Sequence, residues 1–198
     1  MDDTLRAIKA ELRAAMNGIA AQSIRQSGMN YHVTFGVELP RLRQIAAEFT
    51  PDRRLALALW QENVRESKLL AIMLFPPQDF DQDMADLWVD DLVPQQAEVA
   101  QLLCMDLLPR QPYAAEQAFL WMADERPMRQ LCGFSLLTRL LMQGASLSPD
   151  AEAEFVDQAE ATLPTTFLPL RKAVTNALLR LEQTHPQTAK TVQRILNA

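Results

Sequence analysis

Apolar residues return along this chain at the three- and four-residue spacing of an amphipathic helix, and no stretch alternates as a half-buried strand does. In the first segment Leu5, Ile8, Leu12 and Met16 fall one turn apart on a single face, which predicts a helix over 3–16. Asn17-Gly18 interrupts it, and a short helix is expected over 19–26 before an irregular link through 31–36. Beyond that link, helices are expected at 39–49, 51–62, 64–75, 80–92, 95–108, 113–123, 127–142, 148–163, 167–181 and 186–196. Prolines mark the junctions: Pro76-Pro77, Pro94, Pro109, Pro112, Pro127, Pro149, Pro164, Pro169 and Pro186. Pro40 and Thr50-Pro51 open two earlier helices, since proline suits a first helical turn. Ser148-Pro149-Asp150-Ala151-Glu152 adds a hydroxyl N-cap and first-turn acids.

Short helices joined by tight turns predict an all-α fold: an α-α superhelix, or α-solenoid, of about six HEAT-like helix pairs. Segments 51–62 with 64–75, and 113–123 with 127–142, have the spacing of such pairs. Uniformly short helices favour this arrangement over a closed bundle. One HEAT-like repeat domain over 1–198 is expected.

Composition narrows the function classes. The formal net charge of −6 disfavours general binding to nucleic acid or anionic membrane unless positive charge is clustered. The first segment is charged, with no apolar signal core, and no apolar run approaches the ~20 residues of a membrane span. Cys104 and Cys132 both sit in apolar helical patterns, which predicts buried free thiols and a reducing, cytoplasmic location. There is no glycine-rich phosphate loop, no G-x-S-x-G and no C-x-x-C. The two histidines, His32 and His185, are far apart and lack a matching cluster of ligands, so no metal or cofactor is expected. The nine methionines read as core filler.

The stretch 69–109 contains no Lys or Arg but carries Asp79, Asp81, Asp83, Asp86, Asp90, Asp91, Glu98 and Asp106. Adjacent Asp90 and Asp91 point to different sides of a helix and do not form a catalytic dyad. Candidate anion- or DNA-binding residues are Arg65 and Lys68, three apart at the edge of this block, with Arg129, Arg171 and Lys172. A solvated surface is the plainer expectation for each.

Phe35-Gly36-Val37-Glu38-Leu39-Pro40-Arg41-Leu42-Arg43-Gln44-Ile45-Ala46 resembles the opening motif YGV-x-LP-x-(L/I)R-x-IA of the AlkD-type DNA alkylation repair family. Leu59-Trp60, Glu66-Ser67-Lys68-Leu69-Leu70-Ala71, Trp88-Val89-Asp90-Asp91 and Leu170 to Leu178 resemble its later motifs in the same order. The resemblance implies HEAT-like repeats and, in active members, a DNA glycosylase that excises cationic 3- or 7-alkylpurines. There an aspartate stabilises the developing sugar cation and tryptophans contact the lesion. In this chain Gln96 takes the place of the first tryptophan, Ala100 that of the aspartate and Asn176 that of the second tryptophan. Glu98 lies two residues from Ala100, about 200° away around a helix.

The resemblance therefore implies a member without the catalytic residues, acting as a DNA- or protein-binding scaffold. The alternatives are an alkylpurine glycosylase using Glu98 as a rearranged carboxylate, or a protein–protein adaptor. The acidic stretch is expected to repel a duplex unless the basic candidates outweigh it.

Overall fold

The helical periodicity is realised almost throughout. The computed structural model describes residues 2–26, 31 and 33–197; His32 and most of the link before it lie outside the described residues. Among the described residues there are twelve α-helices and no strand, only an isolated bridge between Val33 and Val64. Among the described residues no helix is long and apolar enough to cross a membrane. The chain forms two compact units, Met1–Asp81 and Gln82–Ala198.

The first unit holds α1 (Asp2–Ala14), α2 (Gly18–Gln26), α3 (Leu39–Ala47), α4 (Arg53–Trp60) and α5 (Arg65–Leu74). Helices α4 and α5 pack together as expected, with α3 on α5 and α1 against α4. Ile8, Leu12, Leu42, Ile45, Leu55, Leu59, Leu69 and Leu70 fill the core. Helix α1 stops earlier than its apolar spacing suggests, leaving Met16 exposed. Asn17 turns the chain there: its Oδ1 accepts from the N–H groups of Ile19 and Ala20, and its own N–H donates to Phe35 O at 2.9 Å. Helix α4 is capped by Asp52, which accepts from Leu55 N at 2.8 Å, and not by Thr50. Its carboxylate begins the helix two residues later than proline alone would place it.

The second unit holds α6 (Gln82–Asp90), α7 (Ala97–Leu102), α8 (Ala114–Met122), α9 (Pro127–Met142), α10 (Pro149–Thr162), α11 (Leu168–Thr184) and α12 (Ala189–Leu196). The expected pair α8–α9 is present, α9 also packs on α11, and α11 packs on α10 and α12. Ser148 caps α10 by accepting from Ala151 N at 3.2 Å. Trp121, Phe134, Phe155, Leu178 and Leu181 are among the buried core side chains. The rings of Phe134 and Phe155 meet edge to face at 6.0 Å.

One expected helix divides. In place of a uniform helix over 95–108, a 3-10 turn (Pro94–Gln96) leads into α7, then a π-helical stretch (Leu103–Leu107) and a second 3-10 turn (Leu108–Arg110). Leu108 N donates to Leu103 O, five residues back. Pro109, next in line, has no N–H and crowds the carbonyl four residues before it, so an α-helical ladder cannot run through this point.

Candidate nucleic-acid interface

The first turn of α5 carries Arg65, Glu66, Ser67 and Lys68, all buried. Glu66, at 0% exposure, gathers the preceding link: it accepts from Thr34 Oγ1 at 3.0 Å, Phe35 N at 3.0 Å, Gly36 N at 2.9 Å and Val37 N at 3.3 Å. Arg65 Nη1 balances this carboxylate at 3.1 Å and donates to Val37 O at 2.9 Å. Lys68 Nζ lies 4.3 Å from the centre of the Trp60 ring, a cation–π contact. The structure thus corrects the solvated reading of Arg65 and Lys68: both are buried, and Arg65 with Glu66 holds the Phe35-Gly36-Val37 stretch.

Arg129 is engaged too. Its guanidinium grips Asp90 through two parallel hydrogen bonds of 2.7 and 2.8 Å and reaches Asp86 at 3.1 Å. Arg126 donates to Asp124 at 2.7 Å and to Asp90 at 3.1 Å. Asp86 Oδ1 also accepts from Trp121 Nε1 at 2.8 Å and Gln117 Nε2 at 3.2 Å. Two carboxylates of the acidic stretch are therefore compensated by arginines of α9 and the residue before it, which weakens the expected repulsion. Arg126 and Asp124 were not candidates; the only signal was that Arg126 stands three residues before Arg129.

The hydrogen bond from Arg129 holds the Asp90 carboxyl below its ordinary range, and that from Arg126 lowers Asp124 from 3.8 to about 2. A depressed carboxylate stabilises the fold above its unfolded pKa, and this contribution disappears as pH falls through the folded value. The shift corresponds to at most ~2 kcal/mol, and solvent screening at Arg126 reduces it to about 1 kcal/mol. In denaturant titrations, wild type should exceed Asp124→Asn by that amount at neutral pH. The gap should close between pH 3.8 and about 2. A gap independent of pH would sink this assignment.

The remaining two candidates lie at the start of α11. Arg171 donates to Thr165 O at 2.6 and 3.1 Å and so ties down the turn before the helix. Lys172 instead lines a groove of about 550 Å³. Gln101 and Met105 border the groove from α7 and the π-helical stretch, and Ser135, Thr138 and Met142 from α9. Helix α11 contributes Lys172, Ala173, Asn176, Leu179, Arg180 and Gln183. The α9 set and, apart from the neighbours Lys172-Ala173 and Leu179-Arg180, the α11 set recur at three- or four-residue spacing, so each helix offers one face to the groove. Among the described residues, Lys172 and Arg180 are the charged ones that line it, and no carboxylate does. On α9, Arg139 has a buried Nε with no hydrogen-bond partner.

The positions singled out by the resemblance separate here. Asn176 faces the groove, whereas Gln96 is 5% and Ala100 0% exposed. Gln96 Oε1 accepts from Val93 N at 3.4 Å, beneath the entry to α7. Glu98 does not line the groove. The π-helical stretch begins at Leu103, after these positions, so it does not rotate Glu98 into the place of Ala100. Sequence reasoning missed Gln101, Arg180 and Gln183. The spacing of Lys172, Asn176, Arg180 and Gln183 marks one face of α11, but nothing in it says that the face is concave.

Short helices packed in consecutive pairs define a HEAT-like repeat protein. Residues 8–191 match the family model described as DNA alkylation repair enzyme, and the chain belongs to that family. The fold is shared with a solved structure described as a new family of proteins related to the HEAT-like repeat DNA glycosylases with affinity for branched DNA structures. That match has a TM-score of 0.81 at 18% identity and covers 96% of this chain and 81% of the other. No curated protein matches the sequence.

Proposed function

We propose that this chain is a non-catalytic member of the DNA alkylation repair family that binds DNA as a scaffold through the α7–α9–α11 groove. The observation that carries the reading is the chemistry of the groove: among the described residues, Lys172 and Arg180 line it and no carboxylate does. Stabilising a sugar cation requires a negative group at the scissile bond, whereas holding phosphate requires positive ones. Alanine at position 100 supplies neither charge nor a hydrogen-bond acceptor from its side chain. The affinity for branched DNA attributed to the structurally similar protein directs the test towards junctions. The unpaired thiols Cys104 and Cys132 fit a reducing, cytoplasmic setting.

Two assays decide between binding and excision. Gel shifts at low salt should show a complex with three- and four-way DNA junctions that weakens steeply as salt rises. Incubation with duplex containing N7-methylguanine should release no base above the spontaneous rate. Release that vanishes in Glu98→Gln would establish the glycosylase reading instead. Absence of a shift on every DNA at low salt would leave the adaptor reading.

A further inference from the structure

The groove has a size and a lining that specify more than an anion. At about 550 Å³ it falls in the range of sites that enclose one small organic molecule, and it is far too small for a duplex. Three amides, Gln101, Asn176 and Gln183, each offer a donor pair and an acceptor. Met105, Met142 and Leu179 add an apolar, polarizable floor suited to the face of a flat ring. Lys172 and Arg180 stand eight residues apart on α11, about 12 Å along the axis. Both side chains are long and flexible enough to reach two neighbouring phosphates of one strand, those that flank a nucleotide. With two cations and no acid, the lining favours a neutral ring over a positively charged one.

We infer that the groove seats one unstacked, unmodified nucleotide at a strand discontinuity of DNA. Its flanking phosphates lie on Lys172 and Arg180, its base rests on Met105 and Met142, and the amides meet the base's edge. The inference rests on the DNA-binding reading above and goes further by naming what enters the groove. No bond is made or broken; the energy to unstack the base is least where strands already part, which gives preference for branches over continuous duplex.

The test uses the full chain and a three-way DNA junction with 2-aminopurine at an unpaired nucleotide of the branch point. A linear duplex with the same base at its centre is the control. Binding should change the fluorescence of the junction by about twofold or more and leave that of the duplex unchanged, because only the former base leaves its stack. The double variant Lys172→Gln/Arg180→Gln should lose about tenfold in affinity. Its salt dependence should fall by about 0.7 per single-strand phosphate contact removed. Thr138→Trp, which fills the groove without removing a cation, should abolish the fluorescence change; circular dichroism melts verify that both proteins remain folded. N7-methylguanine at the branch should bind more weakly than guanine. Junction binding that weakens in the Lys172→Gln/Arg180→Gln protein while the fluorescence stays unchanged would overturn the inference and leave the scaffold reading standing, as would tighter binding of N7-methylguanine; junction binding with no response to either variant would overturn both. Failure to bind any DNA would overturn both.

Discussion

Glu66→Gln should lower the unfolding free energy by about 3 kcal/mol, because it leaves buried partners without their charge. In wild type the fully buried carboxylate accepts from Thr34 Oγ1 and from three successive backbone N–H groups, at Phe35, Gly36 and Val37, and it faces Arg65 at 3.1 Å. Glutamine keeps the shape but turns one acceptor oxygen into a donor, set against backbone N–H groups and a guanidinium that only donate. The guanidinium of Arg65 loses its countercharge in a site where water cannot replace it. For a chain of 198 residues this corresponds to a fall of about 6–12 °C in Tm. Thr34→Val removes one hydrogen bond from the same group and should cost only about 1 kcal/mol. If both variants lose less than about 1 kcal/mol in urea titrations, Glu66 does not organise this link.

Gly133→Ala should destabilise the second unit by about 2 kcal/mol, although alanine is the better helix former. Intrinsic propensity alone would stabilise α9 by about 1 kcal/mol. Against that, a Cβ at this position would stand 2.7 Å from Ala118 O and 2.7 Å from Met122 N, both backbone atoms of α8. Backbone cannot rotate aside as a side chain can, so α8 and α9 must separate. Overpacking of a dense core costs roughly 1–3 kcal/mol, and this contact belongs at the upper end. Net destabilisation follows because the steric cost exceeds the propensity gain. Measured stabilisation by Gly133→Ala would show that the two helices adjust freely. At Gly144, where a Cβ would meet nothing within 4 Å but φ is +92°, substitution strains the backbone alone.

Most of the fold was legible because its signals are local. Proline and asparagine ended helices near the predicted points, Ser148 capped α10, and the α4–α5 and α8–α9 pairs formed between the expected segments. Departures arose where a neighbour outweighed the local pattern. Met16 continues the apolar stripe of α1, but the tie between Asn17 and Phe35 turns the chain before it can pack. The helix expected over 95–108 meets Pro109 and yields through a π-helical stretch. Of the five basic candidates, only Lys172 lines the groove. Arg65 and Lys68 are interior, Arg129 is held by aspartates, and Arg171 binds the turn before its own helix.

By itself, the amino-acid sequence determined most of the helices, the α4–α5 and α8–α9 pairs and the identity of the residues at positions 96, 100 and 176, since each follows from local signals or from the letter present. Only the tertiary structure decided which charges face water and which face the interior. The spacing of Arg65 and Lys68 places them on one side of α5, but burial depends on what packs there, and Glu66 reaches Thr34 across 32 residues. Asp90 and Arg129, which neutralise each other, are 39 residues apart. Charge separation along a chain carries no information about such contacts, because electrostatic energy depends on distance in space and on exclusion of water. The cation-lined groove became visible only when one face each of α9 and α11 was set against α7 and the stretch after it.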